Sequence, residues 1–430
     1  MSIEIKKITD SEQTMSVRME KEELDKYFEE ILKEEAKKMT VEGFRKGKAP
    51  LFLIRKMYGE SLFYANLDKI ANNKFWDEVD LRGINVLFTP SITKLDLNSE
   101  GGLDFEVQFE TNPEFELINL EEIEVEKNEY ELTESYLQKI TNYVQFELRE
   151  EQDADEISSE DFITKLSFQE LDEANKEIPN KKPREIFIYL KNENLPKNIL
   201  EKLLNKKKND NFEIELDIDK FLTTLEGKEF TANEFPKKYR VTISDIKEVN
   251  LLPISDELAK KYFGEENKTL EDFKKHIEEE ETKYYEKKSK DEFVSNLEKI
   301  LIEKHNFNPP PTVVQRMKDQ IIEDMSNRYK VSKDALLADE TLKANIEQSA
   351  LNSTKYFYIK EKLLNQLNIK IEDSDLDKDA ETFASRIQKT KEETLEILRK
   401  NKNYIDSKLT EKLFDKIGKK VKVKTNKITL

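Results

Sequence analysis

Gly43-Phe44-Arg45-Lys46-Gly47-Lys48-Ala49-Pro50 is the stretch that sets this chain apart from a generic assembly of charged helices. Two of only nine glycines bracket an aromatic ring and two cations, and Pro50 stands where a helix would begin. Glycine at both ends permits backbone conformations that push the tip outward. Over residues 33 to 60, eight basic side chains outnumber four acidic ones, a local charge of +4 inside a chain of formal charge −18. A Gly/Lys-rich loop taken alone reads as a solvated turn between helices. A Phe at its tip beside Arg is instead the composition of an interface anchor.

Working outward, residues 1 to 112 predict a compact α+β unit. Two β-like stretches, 3 to 8 and 14 to 19, precede a helix whose Leu24, Tyr27, Phe28, Ile31 and Leu32 recur at i, i+3, i+4, i+7 and i+8, the spacing of one buried face. Beyond the loop, helices are expected over 51 to 58 and 62 to 79, then strands over 85 to 97 and 103 to 109 around the turn signal Gly101-Gly102. Residues 113 to 150 read as an extended, acidic linker followed by one helix. The acidic run 150 to 161 reads as a boundary.

Residues 151 to 250 predict a β-rich domain. Apolar residues alternate at Phe212, Ile214, Leu216 and Ile218 and at Tyr239, Val241 and Ile243, with a short helix near 197 to 204 and an exit linker from about 247. Residues 251 to 430 are helical by pattern until the tail. The stripes are Leu270, Phe273 and Ile277, then Val314, Met317, Ile321 and Met325 after Pro309-Pro310-Pro311, then Tyr356, Ile359, Leu363 and Leu367. A capping box at Thr390 and Glu393 opens a further helix. The stripes are narrow, which predicts thin layers of helices. The fold class is therefore α+β, multidomain and elongated, with roughly three domains for a chain of this length.

Composition narrows the function. There is no cysteine, so disulfides and thiolate metal sites are out. His276 and His305 are the only histidines, neither has a His partner at metal-binding spacing, and both read as solvated helix residues. No metal, cofactor or nucleophile triad is expected. The first residues carry no apolar leader, and no apolar run approaches the roughly 20 residues that span a bilayer, which predicts a cytoplasmic protein without a membrane partner. Acidity argues against DNA binding, although a basic loop on an acidic body can still dock onto RNA or an acidic protein.

The octapeptide resembles the ribosome-docking signature of the trigger factors, bacterial chaperones that meet nascent chains at the tunnel exit. The likeness continues in Tyr58-Gly59, in Asn73-Lys74-Phe75 and in Asn112-Pro113-Glu114-Phe115-Glu116-Leu117, and the order of parts fits over all 430 residues. The resemblance implies a holdase and foldase with an N-terminal α+β ribosome-docking domain, an inserted FK506-binding-type domain and an all-helical C-terminal cradle. It assigns docking to Gly43, Phe44, Arg45, Lys46, Gly47, Lys48 and Pro50. The implied partner is an exit-site protein of the large ribosomal subunit, with rRNA contact and a weak homodimer left open. Unfolded nascent polypeptides are the implied clients. Met317, Met325, Tyr356, Phe357 and Tyr358, with Phe383, Tyr404 and Phe414, offer the soft and aromatic surface that broad binding favours, and each has a competing reading as core.

The family also implies a peptidyl-prolyl isomerase, the alternative function. From 156 to 248, however, the chain has a single glycine, Gly227, and no Trp. The family's Ile-Pro-Gly segment reads here as Leu195-Pro196-Lys197 and its aspartate-aromatic pair as Lys165-Leu166. Phe162, Phe168, Phe187, Tyr189, Phe212, Phe221 and Phe235 can be read as pocket lining or as core. No catalytic residue is assigned, and weak or absent isomerase activity is expected.

Overall fold

The computed structural model describes residues 2–179, 181–228 and 236–430. Two compact units emerge, one spanning Met1–Asn128 with Lys290–Asn426 and the other Glu129–Ser289 with Lys427–Leu430.

The first unit opens with strands β1 (Ser2–Lys7) and β2 (Glu12–Met19), helices α1 (Lys21–Lys38), α2 (Leu51–Ala65) and α3 (Leu67–Arg82), and strands β3 (Ser91–Leu97) and β4 (Leu103–Glu110). The strands form an antiparallel sheet in the order β1-β2-β4-β3. On β4 the buried residues Leu103, Phe105, Val107 and Phe109 alternate with partly exposed ones, so one face of the sheet is core. Leu24, Phe28, Ile31 and Leu32 of α1 and Ile70, Phe75 and Val79 of α3 belong to the same core. The helical break comes at Asn66 and not near Gly59 as the sequence suggested. Gly59 is buried inside α2, where apolar packing outweighs its cost of about 1 kcal/mol in a helix. Asn66 ends the helix by turning its side-chain amide onto the Leu62 carbonyl at 2.7 Å. The strand expected from 85 starts only at Ser91, because Pro90 has no N–H for a ladder, and Val86 makes an isolated bridge to Thr111.

Residues 113 to 119 carry no regular secondary structure and a single 3-10 turn follows at Leu120–Glu122, yet the expected extended linker is not a solvated tether. Phe115, Leu117, Ile118, Leu120 and Ile123, with Val125 of β5 (Glu124–Glu131), pack in a core with Leu301, Phe307, Ile359, Leu363, Leu413 and Phe414. Phe115 stacks on Phe307 with ring centres 4.1 Å apart. His305 seals this contact. It is buried, accepts the Ile118 N–H on Nε2 at 3.2 Å, and sets Nδ1 2.6 Å from the Leu301 carbonyl. That fixes a neutral ring with its proton on Nδ1, and the expectation of a solvated helix residue is wrong here because the chain turns inward just past the helix.

The second unit holds α4 (Glu134–Glu147), β6 (Glu150–Asp153), β7 (Phe162–Glu170), β8 (Arg184–Tyr189), α5 (Lys197–Leu203), β9 (Asn211–Leu216), α6 (Ile218–Leu225), β10 (Lys237–Asn250), α7 (Asp256–Phe263) and the first part of α8 (Leu270–Lys304). The sheet runs β6-β10-β7-β8, with β9 also on β10. Two local expectations change. The acidic run at 150 contains β6, which pairs with Lys247 to Asn250, so the supposed exit linker is the end of a 14-residue strand. Ile218 starts a helix, because Asp217 accepts the N–H groups of Asp219 and Lys220 and caps it. His276, on α8, is half-buried against the rings of Tyr262 and Phe263.

The remainder of the first unit is helical: the end of α8, then α9 (Pro311–Tyr329), α10 (Lys333–Ala338), α11 (Glu340–Gln366), α12 (Asp373–Ile387), α13 (Lys391–Lys400) and α14 (Lys402–Gly418), closed by β11 (Lys422–Thr429), whose first residue donates to the Ile123 carbonyl. The expected capping box at Thr390 and Glu393 is present on α13. Helix α9 has no cap of its own. Glu110 of β4 supplies one, accepting the Thr312 N–H and hydroxyl, while Asp10 accepts the Asn308 N–H. Among the described residues, no helix is long and apolar enough to cross a membrane.

Candidate docking loop

Helix α1 ends at Lys38, and the chain must reverse within twelve residues to start α2. Two β-turns do this. Phe44 N–H donates to the Val41 carbonyl at 3.0 Å and Lys48 N–H to the Arg45 carbonyl at 2.9 Å. The third residue of each turn is a glycine with positive φ, +84° at Gly43 and +71° at Gly47, as a type II turn demands. Gly47 has a second reason to be glycine. A Cβ there would lie 2.5 Å from the Lys37 carbonyl oxygen, and its N–H donates to the Met39 carbonyl at 3.0 Å. Val41 is buried in the core below and Ala49 packs against it, while Pro50 caps α2.

The tip is thus fixed at both feet and open at its crown. Phe44 is 40% exposed, and Arg45, Lys46 and Lys48 are exposed with no ion pair among the described residues. The first turn of α2 carries no acidic residue, so its N-terminal dipole adds to the positive potential. The sequence brought Gly43 to Pro50 together by adjacency; the structure adds that two turns and the close approach of Gly47 to α1 hold an exposed, cationic, aromatic-tipped loop in one shape.

Below it, Lys74 ties α3 to α1. Its ammonium is buried, 2.7 Å from both Glu23 and Glu78, and Arg82 also pairs with Glu78. Burial works against the Glu78 charge, but the hydrogen bonds from Lys74 and Arg82 outweigh it and hold its carboxyl below the usual range. For Lys74 burial likewise opposes the charge, and Glu23 and Glu78 win.

The proposed client residues separate. Met317 and Met325 on α9 are half-buried, Met325 against Ile322, Leu336 and Ile346. On α11, Tyr358 is core, with its hydroxyl pushed up to about 12 by burial. Tyr356 packs on the same core, its ring near Phe414, and Phe357 alone of the three faces outward. Phe383 is exposed, the Tyr404 hydroxyl donates to Asp379, and Phe414 is buried. In the middle domain Phe162, Phe168 and Phe221 are core, Phe212 packs on it, and Phe187 is exposed. Tyr189 packs against Phe146, and Phe235 lies outside the described residues. Lys165 is engaged by Glu185 at 2.7 Å, Leu166 is fully buried, and Pro196 caps α5. Among the described residues, no group of three or more His, Cys, Asp or Glu is placed to hold a metal ion.

Sequence reasoning overlooked one feature beside the loop. Phe52, Met57 and Tyr64 on α2 are 73%, 55% and 58% exposed. The available signal was that LFLIRKMYGESLFYA is apolar on more than one helical face.

Comparison with known proteins agrees with this architecture. The family description "Bacterial trigger factor protein (TF)" matches residues 1–143, and "Bacterial trigger factor protein (TF) C-terminus" matches residues 269–419. A protein named Trigger factor from Chlorobaculum parvum is 24% identical over 434 residues, covering 98% of this chain and 97% of its own. Another of that name from Borrelia turicatae is 25% identical, covering 97% and 95%. A solved chain described as "Promiscuous Substrate Recognition in Folding and Assembly Activities of the Trigger Factor Chaperone" shares the fold with a TM-score of 0.50 and 17% identity, over 97% of this chain and 98% of its own. With the N-terminal and C-terminal family descriptions matched over residues 1–143 and 269–419, and relatives of that name covering 97–98% of it, this chain belongs to the trigger factor family of chaperones.

Proposed function

We propose that the protein is a cytoplasmic, ribosome-associated chaperone that docks at the nascent-chain exit of the large ribosomal subunit through Gly43 to Pro50 and holds unfolded polypeptides on shallow apolar surfaces. The observation that carries this reading is the loop itself, in which Phe44 and Arg45, Lys46 and Lys48, without an ion pair among the described residues, are exposed on a pinned backbone. Phe44 suits an apolar niche, and the cations suit carboxylates or phosphate. Each exposed ion pair is worth only about 0.2–1 kcal/mol, so docking uses several contacts and weakens with salt. Residues 1 to 112 then form the docking domain, 113 to 150 its connection, 151 to 250 the inserted domain and 251 to 430 the chaperone arm. Clients are met by outward residues such as Phe357 and by the half-buried Met317 and Met325, while Tyr356 and Tyr358 support them from the core. With Lys165 held by Glu185, the inserted domain offers an amine where the family's pocket has a carboxylate, which favours a spacer or extra client-binding arm over an isomerase.

Co-sedimentation with ribosomes tests the reading. The triple variant Phe44→Ala, Arg45→Ala, Lys46→Ala is expected to lose binding with an unchanged circular dichroism spectrum. Normal sedimentation of that variant would remove the docking role.

A further inference from the structure

Among the described residues nothing covers the outer face of α2, and that is costly for a helix of its composition. Ile54 and Gly59 are its only buried residues, with Tyr58, Leu62 and Phe63 also packed on the core. At 100° per residue, Leu53, Met57, Glu60 and Tyr64 line the opposite side with Lys56 beside them, and Phe52, exposed in the first turn, lies 100° round from Leu53. Met57 and Tyr64 are more than half exposed and Phe52 nearly three quarters. A helix apolar on both sides belongs in an interior, and an exposed apolar strip bordered by charge marks a contact surface.

We propose that the face made by Phe52, Leu53, Met57 and Tyr64 is a second docking surface, continuous with the loop, whose occupant is an apolar protein patch edged with carboxylates. Three observations select that occupant. Phe52 lies only two residues past Pro50, and Tyr64 is 12 positions, about 18 Å, further along the axis, so whatever meets the loop also meets the helix. The local charge is positive: Lys46, Lys48 and Lys56 have no ion pair among the described residues, in a chain that is otherwise strongly acidic. The strip itself is methionine, leucine and aromatic rings, which gain from burial against apolar side chains and gain little from a phosphate backbone. The loop supplies charge and register, and the helix supplies desolvated area. A partner recognised by both is a folded protein surface.

The proposal rests on the docking reading, and the test separates the two. Ribosome binding of the full chain is measured over a salt series for the native protein, for the loop triple variant, for Phe52→Ser with Met57→Ser and Tyr64→Ser, and for the conservative set Phe52→Leu, Met57→Leu and Tyr64→Phe. The serine set is expected to weaken binding about tenfold or more at every salt concentration with the same salt dependence, since it removes no charge, and the conservative set to restore most of it. Native affinity in the serine set, with binding lost in the loop variant, overturns the second surface and leaves docking intact. Native affinity in both overturns docking and this surface with it. A matching loss on protein-free rRNA, or a dimer-to-monomer change with ribosome binding unaltered, also overturns it, naming RNA or a second copy as the occupant. If the triple serine set melts early, the single Phe52→Ser variant carries the same comparison.

Discussion

Replacing Gly47 with alanine tests what shapes the loop, and Gly43→Ala is its matched control. Both glycines sit at positive φ, where an alanine costs about 1–2 kcal/mol. Their surroundings differ. At Gly43 a Cβ would meet nothing within 4 Å, whereas at Gly47 it would lie 2.5 Å from the Lys37 oxygen and 3.1 Å from the Lys37 carbonyl carbon. Those are backbone atoms in the last turn of α1, so relief requires the loop to lift off and give up the Gly47 N–H bond to Met39, a further loss of about 0.5–1.5 kcal/mol. Local opening should therefore become easier by about 1.5–3.5 kcal/mol in Gly47→Ala and by about 1–2 kcal/mol in Gly43→Ala. Amide hydrogen exchange at residues 47 and 48 reads this directly, as acceleration of about 12- to 400-fold against about 5- to 30-fold. Exchange is preferable to a denaturation midpoint because unfolding of a multidomain chain is not one transition. Ribosome co-sedimentation should fall in the same order. Equal acceleration in the two variants would refute the idea that close approach to α1 pins the loop.

Lys74→Met should destabilise the N-terminal domain by about 3–5 kcal/mol, because it strands the buried Glu78 carboxylate with Arg82 alone; chemical denaturation followed at Trp76 measures it, and a loss under 1 kcal/mol would mean the network is dispensable. His305 is held below the ordinary histidine range by burial, against the pull of its bond to Leu301. The unfolded chain therefore takes up the proton first as pH falls, so the stabilisation from His305 is complete above about pH 6.5 and is lost progressively below it. His305→Gln should flatten the pH dependence of melting between 7.5 and 5.5, and an unchanged slope would exclude this histidine as its source. Isomerase activity of the full chain on a short proline peptide should be weak or absent, and rates typical of FK506-binding domains in a protease-coupled assay would show that Lys165 does not occupy the position assigned to it.

Much of the local fold is legible because it depends on neighbours in sequence. The i, i+3, i+4 spacing from Leu24 to Leu32, the alternation along β4 and the capping box at Thr390 and Glu393 each appear where the residues place them. Errors arose where one side chain decides an ending. Asn66 stops α2 by bonding its own turn, Pro90 delays β3 for want of an N–H, and Asp217 converts a strand pattern into a helix start. The loop was legible as a composition, since glycines, cations and a phenylalanine in eight residues need no tertiary contact to be noticed.

Burial phase was not legible. Tyr356, Phe357 and Tyr358 are consecutive aromatics on one helix, turned about 100° from one another, and only contact with Phe414 and its neighbours determines that Phe357 is the outward one. His305 follows the same rule, because a histidine after a charged helix looks solvated until Phe115, 190 residues earlier, closes over it. The sequence by itself determined the order of elements, the reversal of charge around the loop and the family resemblance, all carried by residues close together along the chain. Only the tertiary structure decided that Gly47 presses on Lys37, that Lys74 is buried between two carboxylates, and that Phe52, Met57 and Tyr64 of α2 are left exposed among the described residues. Those facts depend on which distant segment occupies the space beside a residue, and periodicity along one element contains no record of its neighbour.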